Sequence, residues 1–319
     1  MSFKDQRPIN KSSLSEFLLL EFSEVWELKI LHFVGFLIIY LGIVVVNLLI
    51  ISAIISDYYL NTPMYFFLMN LAIQDVGQVS VILPKSMANA LMNTTHISYS
   101  GCVAQVLVHV FFLASYVFLL TVMAYDRYIA ICNPLQYEIV ITRHACLQMV
   151  TAVWVISLIF AILHTVGIFG SPLCSNVVNQ FFCEIPHLLK LVCSDFYLIE
   201  VGFLLLSAMV SMSCFVFIIM TYVHIFTAVI KMPSVQKKQK AFSTCIPHLT
   251  VFSVYLLTGF LNYFKPTSDL PSQFDLSLTM IYSIVPPLMN PVIYSMRNRE
   301  IRTALKKLLG LRSGLNLLN

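Results

Sequence analysis

The chain has 319 residues, of which 59% are hydrophobic and 11% charged, whereas soluble globular domains have about 45–50% apolar and about 25% charged residues. Its formal net charge is only +4, and its mean hydropathy is +0.85. Because a soluble domain needs a charged surface, this composition excludes an ordinary cytosolic enzyme, a nucleic-acid-binding protein and a disordered chain. It indicates a protein that crosses a membrane several times.

Seven segments contain the roughly 20 mostly apolar residues that a helix needs to cross a bilayer. They are 30–55, 64–91, 102–129, 146–168, 198–230, 242–264 and 275–296. The first is too long for the apolar region of a signal peptide, and its N-terminal flank is polar, so we expect no cleavable signal. The apolar runs are continuous and not alternating, which favours helices over a β-barrel.

The sequence therefore predicts an all-α membrane protein, a seven-transmembrane helix bundle that forms a single domain over residues 1–319. Residues 1–29 are the expected N-terminal segment, 30–296 the bundle, and 297–319 a short amphipathic helix with the tail. Within that last segment, Ile301, Leu305, Leu308 and Leu309 recur at helical spacing between cations. This pattern predicts a helix lying on the inner membrane face and contacting lipids, rather than a frayed basic tail.

With seven spans the two termini lie on opposite sides of the membrane, and the side that holds the C-terminus carries twelve lysines and arginines against six on the other. The positive-inside rule then places the C-terminus of this multi-pass protein in the cytoplasm and its N-terminus outside. The sequon at Asn10 is consistent with this orientation and is a predicted glycosylation site. Four cysteines between apolar segments, Cys102, Cys174, Cys183 and Cys193, would face the oxidising side and are candidates for disulfide bridges.

Polar residues inside the predicted spans are candidates for function, since buried charge in a membrane is costly. Asp75 lies in the second span, and Asn47 and Asn290 lie at comparable depths in the first and seventh. They either form a polar cluster that switches between two arrangements or only hold the helices together by hydrogen bonds. The intramembrane charge favours the switch.

The third predicted span ends in Asp126, Arg127 and Tyr128 at its cytoplasmic edge. Arg127 either only reaches to the interface or is held by its acidic neighbour until a partner offers better contacts. In the seventh span, three prolines including Pro291 interrupt the backbone hydrogen-bond ladder and provide a place to bend.

Five stretches, in order along nearly the whole chain, form a known pattern: Thr62–Leu68 with Asp75, Met123–Leu135, Thr221-Tyr222, Lys240–Cys245 with His248, and Pro287–Asn298. With them, the chain resembles the rhodopsin-like G-protein-coupled receptors and specifically the olfactory receptors. The resemblance implies a receptor that binds small volatile odorants and activates a heterotrimeric G protein of the stimulatory/olfactory type, which raises cAMP. It implies no enzymatic activity, no cofactor and no metal.

The resemblance also assigns roles to residues. It implies disulfides Cys102–Cys183 and Cys174–Cys193, which would restrain a loop over the bundle mouth. The implied switch for G-protein coupling is Asp126, Arg127, Tyr128, Tyr222, Lys240, Asn290, Pro291 and Tyr294. Tyr116 stands where many family members carry a glutamate that pairs with Asp75 around sodium, which argues against a sodium site here. Leu256 stands where many members carry a tyrosine.

By resemblance, the odorant pocket lies among the outer halves of spans three, five, six and seven. The candidate lining is His109, Val110, Leu113, Ala114, Phe203, Leu206, Ser207, Val210, Leu256, Gly259, Tyr263, Met280 and Ser283. This set is mainly apolar and contains no carboxylate, which suits a small, weakly polar molecule and disfavours an amine. For each residue, plain helix packing is the competing interpretation, and His109 either binds a ligand or joins helices.

Three other functions fit less well. A transporter or channel would show internal repeats and several intramembrane charges, and neither is visible. A receptor of the same fold for a non-odorant ligand, acting outside olfactory tissue, is disfavoured by the specific strings of spans three and six. An intramembrane enzyme would need a metal motif or a nucleophile with a partnered base, and the sequence offers neither pattern.

Overall fold

The computed structural model describes residues 15–20, 25–92, 94–193, 197–264, 273–297 and 299–310. Seven long helices lie within these residues, and we number them as spans one to seven: Trp26–Ser56, Pro63–Met92, Tyr99–Cys132, Arg143–Gly170, Tyr197–Lys231, Val235–Phe264 and Gln273–Arg297. The other described helices are Tyr137–Val140, Ile185–Leu189 and Arg299–Leu308, with 3-10 turns at Tyr58–Leu60 and Pro134–Gln136. The predicted Asn10 sequon lies outside the described residues.

Each predicted segment falls inside one long helix. Spans one to five contain apolar windows long enough to cross a membrane by length and composition, and span six has a shorter apolar stretch, His248–Asn262. Spans three and four begin at side-chain caps, where Ser98 and Thr142 accept hydrogen bonds from the amides of Gly101 and Ala145. Such caps satisfy backbone donors that would otherwise have no partner at the helix start.

Span three is the central helix of the bundle, because it packs against spans two, four, five and six. The core around it is apolar and fully buried at Leu71, Leu119, Leu120, Ile218 and Phe252. On the outer faces, many leucine, isoleucine and valine side chains are exposed, among them Leu31, Ile38 and Val155. An apolar exterior of this kind suits lipid rather than water.

A three-stranded sheet covers part of the outer end of the bundle and was not predicted from the sequence. Strand β1 (Glu16–Leu19) pairs antiparallel with β2 (His96–Ser98) and parallel with β3 (Val177–Val178). Phe17 of β1 is fully buried and packs against Tyr99 and Phe169. Residues Glu16–Leu19 are therefore packed onto the loops that carry β2 and β3.

Two disulfides restrain the long loop between spans four and five, which we call the outer loop. Cys102 of span three is bonded to Cys183, and Cys174 is bonded to Cys193. These are the pairs that the family resemblance implies. Because Cys102 belongs to the central span, the first bridge fixes the loop above the bundle and removes conformational freedom from the unfolded chain.

The helix Arg299–Leu308 packs against the inner end of the bundle. Ile301 and Ala304 are buried, whereas Leu308 and Leu309 are 41% and 54% exposed. The Tyr65 hydroxyl of span two donates a hydrogen bond to Glu300. The first residues of the predicted apolar face therefore pack against the helix bundle, and its last residues are exposed and can contact lipid.

Candidate functional site

A cavity of about 170 Å³ lies between the outer halves of spans three, four, five and six. Seven of the predicted pocket residues line it: Val110, Leu113, Ala114, Ser207, Val210, Leu256 and Gly259. Most other lining residues are aliphatic or aromatic, including Phe118, Phe160 and Phe260, and Ile185 of the outer loop also contributes. The cavity therefore suits a small molecule with little polar surface.

The other predicted pocket residues lie elsewhere. Leu206 is 42% exposed on the outside of span five, and Met280 packs against a cluster that includes residues of spans one and two. Ser283 lines a smaller polar cavity deeper in the bundle. Phe203 contacts the His164 ring, and the side chain of Tyr263 lies outside the described part of the chain. No described residue of span seven lines the larger cavity, which differs from the sequence-based expectation.

His109 explains this difference, because it joins helices instead of facing the cavity. Its Nε2 lies 3.1 Å from the hydroxyl of Tyr282 in span seven, and its Nδ1 lies 3.1 Å from the Gln78 amide in span two. With Nε2 protonated, the neutral ring donates to Tyr282 and accepts from Gln78, so both nitrogens are satisfied. This contact closes the side of the pocket toward span seven.

The same network continues to a buried carboxylate in the outer loop, Glu184, which directly follows the bridged Cys183. The Tyr282 hydroxyl and the Asn262 amide both donate to Glu184 Oε1, at 2.5 and 2.6 Å. Burial raises the pKa of the Glu184 carboxyl, but nearby His187 and the Tyr282 hydrogen bond outweigh it, and the pKa lies below its usual value of 4.5. An ionised loop carboxylate thus joins spans six and seven.

A second buried polar group borders the cavity and was not singled out from the sequence. His164 of span four lies 2.5 Å from Glu200 Oε1 and 2.8 Å from the Ser207 hydroxyl, both of span five. The side chains of His164 and Glu200 are only 4% and 0% exposed. The sequence does contain two titratable residues within apolar spans, a pattern that indicates function. Glu200, however, also fits the common preference for an acidic residue in the first turn of a helix.

A polar core lies beneath the cavity. The Asn290 amide of span seven donates to both carboxylate oxygens of Asp75, at 2.9 and 3.0 Å, and the Tyr116 hydroxyl donates to Asn290 at 3.1 Å. Asn47, which was predicted to join them, instead donates to the Ile43 carbonyl of its own helix. Two of the three predicted residues are therefore in contact, and Tyr116 completes the set.

Tyr255 of span six separates the upper cavity from this polar core, because it lines both cavities. Its ring lies 4.4 Å from that of Tyr116, between centroids, and its hydroxyl donates to the Leu113 carbonyl at 3.0 Å. A ligand that displaces Tyr255 would therefore act on Tyr116 and, through it, on Asn290.

At the C-terminal end of span three, the Arg127 guanidinium lies 3.0 Å from Asp126 Oδ2. The Tyr137 hydroxyl, in the short helix that follows span three, donates to Asp126 Oδ1 at 2.8 Å. Burial and the Asp126 charge raise the pKa of this phenol, so it stays a protonated donor. Arg127 is thus held by a carboxylate that is itself fixed in place.

Two further predicted switch residues contact histidines. The Tyr222 hydroxyl of span five lies 2.7 Å from His248 Nδ1 of span six, and the Tyr128 ring packs edge-on against His224. Pro291 is buried within span seven. The side chains of Lys240 and Tyr294 lie outside the described part of the chain.

Comparison with known proteins agrees with these features. The family model described as olfactory receptor matches residues 36–312. Human olfactory receptors 14C36 and 14A2 are 46% and 44% identical over 94% of this chain and 96% of their own length. Gorilla olfactory receptor 1G1 is 42% identical over 95% of this chain and 97% of its own.

Olfactory receptors are multi-pass membrane receptors with seven transmembrane helices that respond to odorants and couple to G proteins, and they are not enzymes. The seven-helix fold and the receptor function predicted from the sequence are therefore confirmed. On these grounds the chain belongs to the olfactory receptor family.

Proposed function

We propose that this receptor binds small, volatile, weakly polar odorants in the cavity between spans three, four, five and six. The observation that carries the proposal is the position of Tyr255, which lines this cavity and also packs against Tyr116 of the polar core. A ligand that moves Tyr255 would therefore also move Tyr116, which is hydrogen-bonded to Asn290 and through it to Asp75.

Affinity is expected to be modest. A ligand of about a dozen heavy atoms, at about 0.5–0.7 kcal/mol per atom, gains about 6–8 kcal/mol. This corresponds to dissociation constants between about one and tens of micromolar. Such a ligand activates the receptor only in proportion to its preference for the active arrangement of the helices.

We further propose that the active bundle releases Arg127 from Asp126 and engages a G protein of the stimulatory/olfactory type. The Arg127–Asp126 contact lies at the inner end of the central span. The resemblance assigns further residues to the same rearrangement: Tyr128, Tyr222, Lys240, Asn290, Pro291 and Tyr294. The response expected from this G protein is a rise in cAMP.

The receptor is expected in the plasma membrane as a single domain over 1–319, with residues 1–29 outside and 297–319 inside. The pairing of Cys102 with Cys183 and of Cys174 with Cys193 supports this orientation, since disulfides form on the oxidising side. A tag at the N-terminus should be reached by antibody on intact cells, and a tag at the C-terminus only after permeabilisation. The reverse pattern contradicts the orientation.

An odorant panel tests the function. Cells that display the receptor are exposed to small volatile compounds while cAMP is recorded, with either a stimulatory/olfactory or an inhibitory G-protein α subunit co-expressed. We expect some compounds to raise cAMP with the stimulatory subunit. A receptor that is present at the surface but lowers cAMP, or responds to no compound, contradicts the proposal.

A further inference from the structure

Three side chains form a hydrogen-bonded line that ends at the ligand cavity. Glu200 Oε1 lies 2.5 Å from His164 Nδ1, and His164 Nε2 lies 2.8 Å from Ser207 Oγ. His164 and Ser207 both line the cavity, whereas Glu200 is fully buried behind them. Most of the other lining residues are apolar, so these three side chains concentrate polarity on one side of the cavity.

The protonation of the pair follows from the cost of burying net charge. The pair has no net charge in two forms. Either Glu200 is a carboxylate and His164 an imidazolium, or Glu200 is a carboxylic acid and His164 a neutral imidazole. An ionised Glu200 beside a neutral ring would leave one uncompensated charge, and the described residues supply no ion-pair partner to Glu200 other than His164. Uncompensated charge is the most costly state in an apolar surrounding.

Both neutral forms place a hydrogen on His164 Nε2. The imidazolium carries one on each nitrogen, and in the other form the Glu200 acid donates to Nδ1, which leaves the ring hydrogen on Nε2. In either form Nε2 donates to Ser207 Oγ. The hydroxyl hydrogen of Ser207 is then left for another acceptor.

A serine in a helix often donates its hydroxyl hydrogen to the carbonyl four residues earlier, as Ser213 does to Met209 at 2.9 Å. Among the described residues, Ser207 has no such bond, and its recorded partner is His164. The hydroxyl is therefore oriented by the histidine and available to a molecule in the cavity.

We propose that Ser207, positioned by His164 and Glu200, is the hydrogen-bond donor of the pocket, and that the receptor selects odorants with a carbonyl oxygen, such as ketones and esters. A carbonyl accepts this bond and leaves no polar hydrogen unpaired. An alcohol can accept the same bond but brings a hydroxyl hydrogen of its own into a mainly apolar lining. A hydrocarbon leaves Ser207 unpaired, and both situations cost free energy. The inference rests on the proposed function and adds the ligand class.

Gly167 of span four keeps this arrangement possible. A Cβ at this position would lie 2.1 Å from Glu200 Oε2, which has no hydrogen-bond partner among the described residues. Any larger residue therefore displaces the Glu200 carboxyl from behind His164. Gly167→Ala thus disturbs the line without changing a residue that lines the cavity.

The test uses matched triplets: a ketone, the corresponding secondary alcohol and the corresponding alkene on the same carbon skeleton, over a range of chain lengths. Each is applied to cells displaying the full-length receptor, and cAMP is recorded at equal surface expression. The ketone is expected to be the most potent member of each active triplet. Ser207→Ala should weaken the ketone about tenfold and the alkene far less.

Three variants separate hydrogen bonding from packing. Ser207→Thr keeps a hydroxyl and should retain most of the preference for ketones. Ser211→Ala removes a hydroxyl from the same wall of the cavity, without His164 behind it, and should shift the three analogues together. Gly167→Ala should reduce the preference for ketones even if Ser207→Ala fails to reach the surface.

The outcomes distinguish the inference from the proposed function. Activation by alkenes or alcohols with inactive ketones overturns the inference and leaves the receptor function intact. So does an equal effect of Ser207→Ala on all three analogues. A surface-expressed receptor that responds to no triplet contradicts the proposed function and the inference together.

Discussion

The Tyr282 hydroxyl of span seven donates a 2.5 Å hydrogen bond to the carboxylate of Glu184 in the outer loop. The neighbouring Cys183 is covalently joined to Cys102 of span three, and the Asn262 amide of span six donates to the same carboxylate oxygen. Three spans thus meet at two adjacent loop residues, spans six and seven at Glu184 and span three at Cys183. Any rearrangement of spans six and seven at their outer ends must alter these hydrogen bonds.

Replacement of Glu184 by alanine is expected to destabilise the folded receptor by about 1.5–3 kcal/mol, because buried donors on Asn262 and Tyr282 lose a charged acceptor. Thermal unfolding of the purified receptor in detergent measures the effect. Glu138→Ala is the matched control, since Glu138 is an exposed glutamate in the short helix Tyr137–Val140, which follows span three. Equal unfolding temperatures for the two variants would show that the loop contact contributes nothing.

The pH dependence of this stabilisation follows from the pKa of Glu184, which lies below its usual value of 4.5. A carboxyl whose pKa is lower in the folded state stabilises that state above the unfolded pKa and loses the effect as pH falls through the folded pKa. The stability difference between wild type and Glu184→Gln should therefore be constant above about pH 5 and shrink below it. A difference that already shrinks near neutral pH is the contrary result.

Asp126→Asn should raise basal cAMP about two- to fivefold, because the variant removes the buried charge that holds Arg127 at 3.0 Å, and a change of this size corresponds to about 0.4–1 kcal/mol. The measurement is cAMP without odorant at matched surface expression. The double variant Asp126→Asn with Arg127→Ala should return to the level of untransfected cells. Unchanged basal cAMP in the single variant would mean that Asp126 does not restrain Arg127.

Gly259→Leu should weaken odorants about tenfold or more, because a Cβ at Gly259 meets open space in a cavity of only about 170 Å³, and a larger side chain would occupy the ligand's volume. Gly202→Leu is the control, since Gly202 also has open space around it but is exposed on span five. Dose–response curves of one agonist on both variants make the comparison. Similar loss in both would argue against this cavity as the binding site.

Much of the fold could be predicted because apolar length is a strong signal. All seven spans fall where the continuous apolar runs lie, since a bilayer leaves few alternatives to a helix. The outer sheet could not be predicted in this way. Its strands have only four, three and two residues, too short for an alternating pattern to stand out.

The site was harder to predict because one sequence does not fix how each helix is rotated. His109 and Val110 are adjacent, yet Val110 lines the cavity and His109 bonds to Gln78 and Tyr282 instead. A further polar group that reaches the cavity, His164, lies in span four, which was not expected to contribute. Its pairing with Glu200 depends on the close approach at Gly167, a contact between helices that leaves no local pattern.

The most direct test of the account is odorant-driven cAMP production by wild type and Arg127→Ala at equal surface expression. The account predicts a dose-dependent rise in wild type and no rise in the variant, because ligand binding in the outer cavity reaches the G protein only through the inner end of span three. A variant that responds like wild type at the same surface level would contradict it.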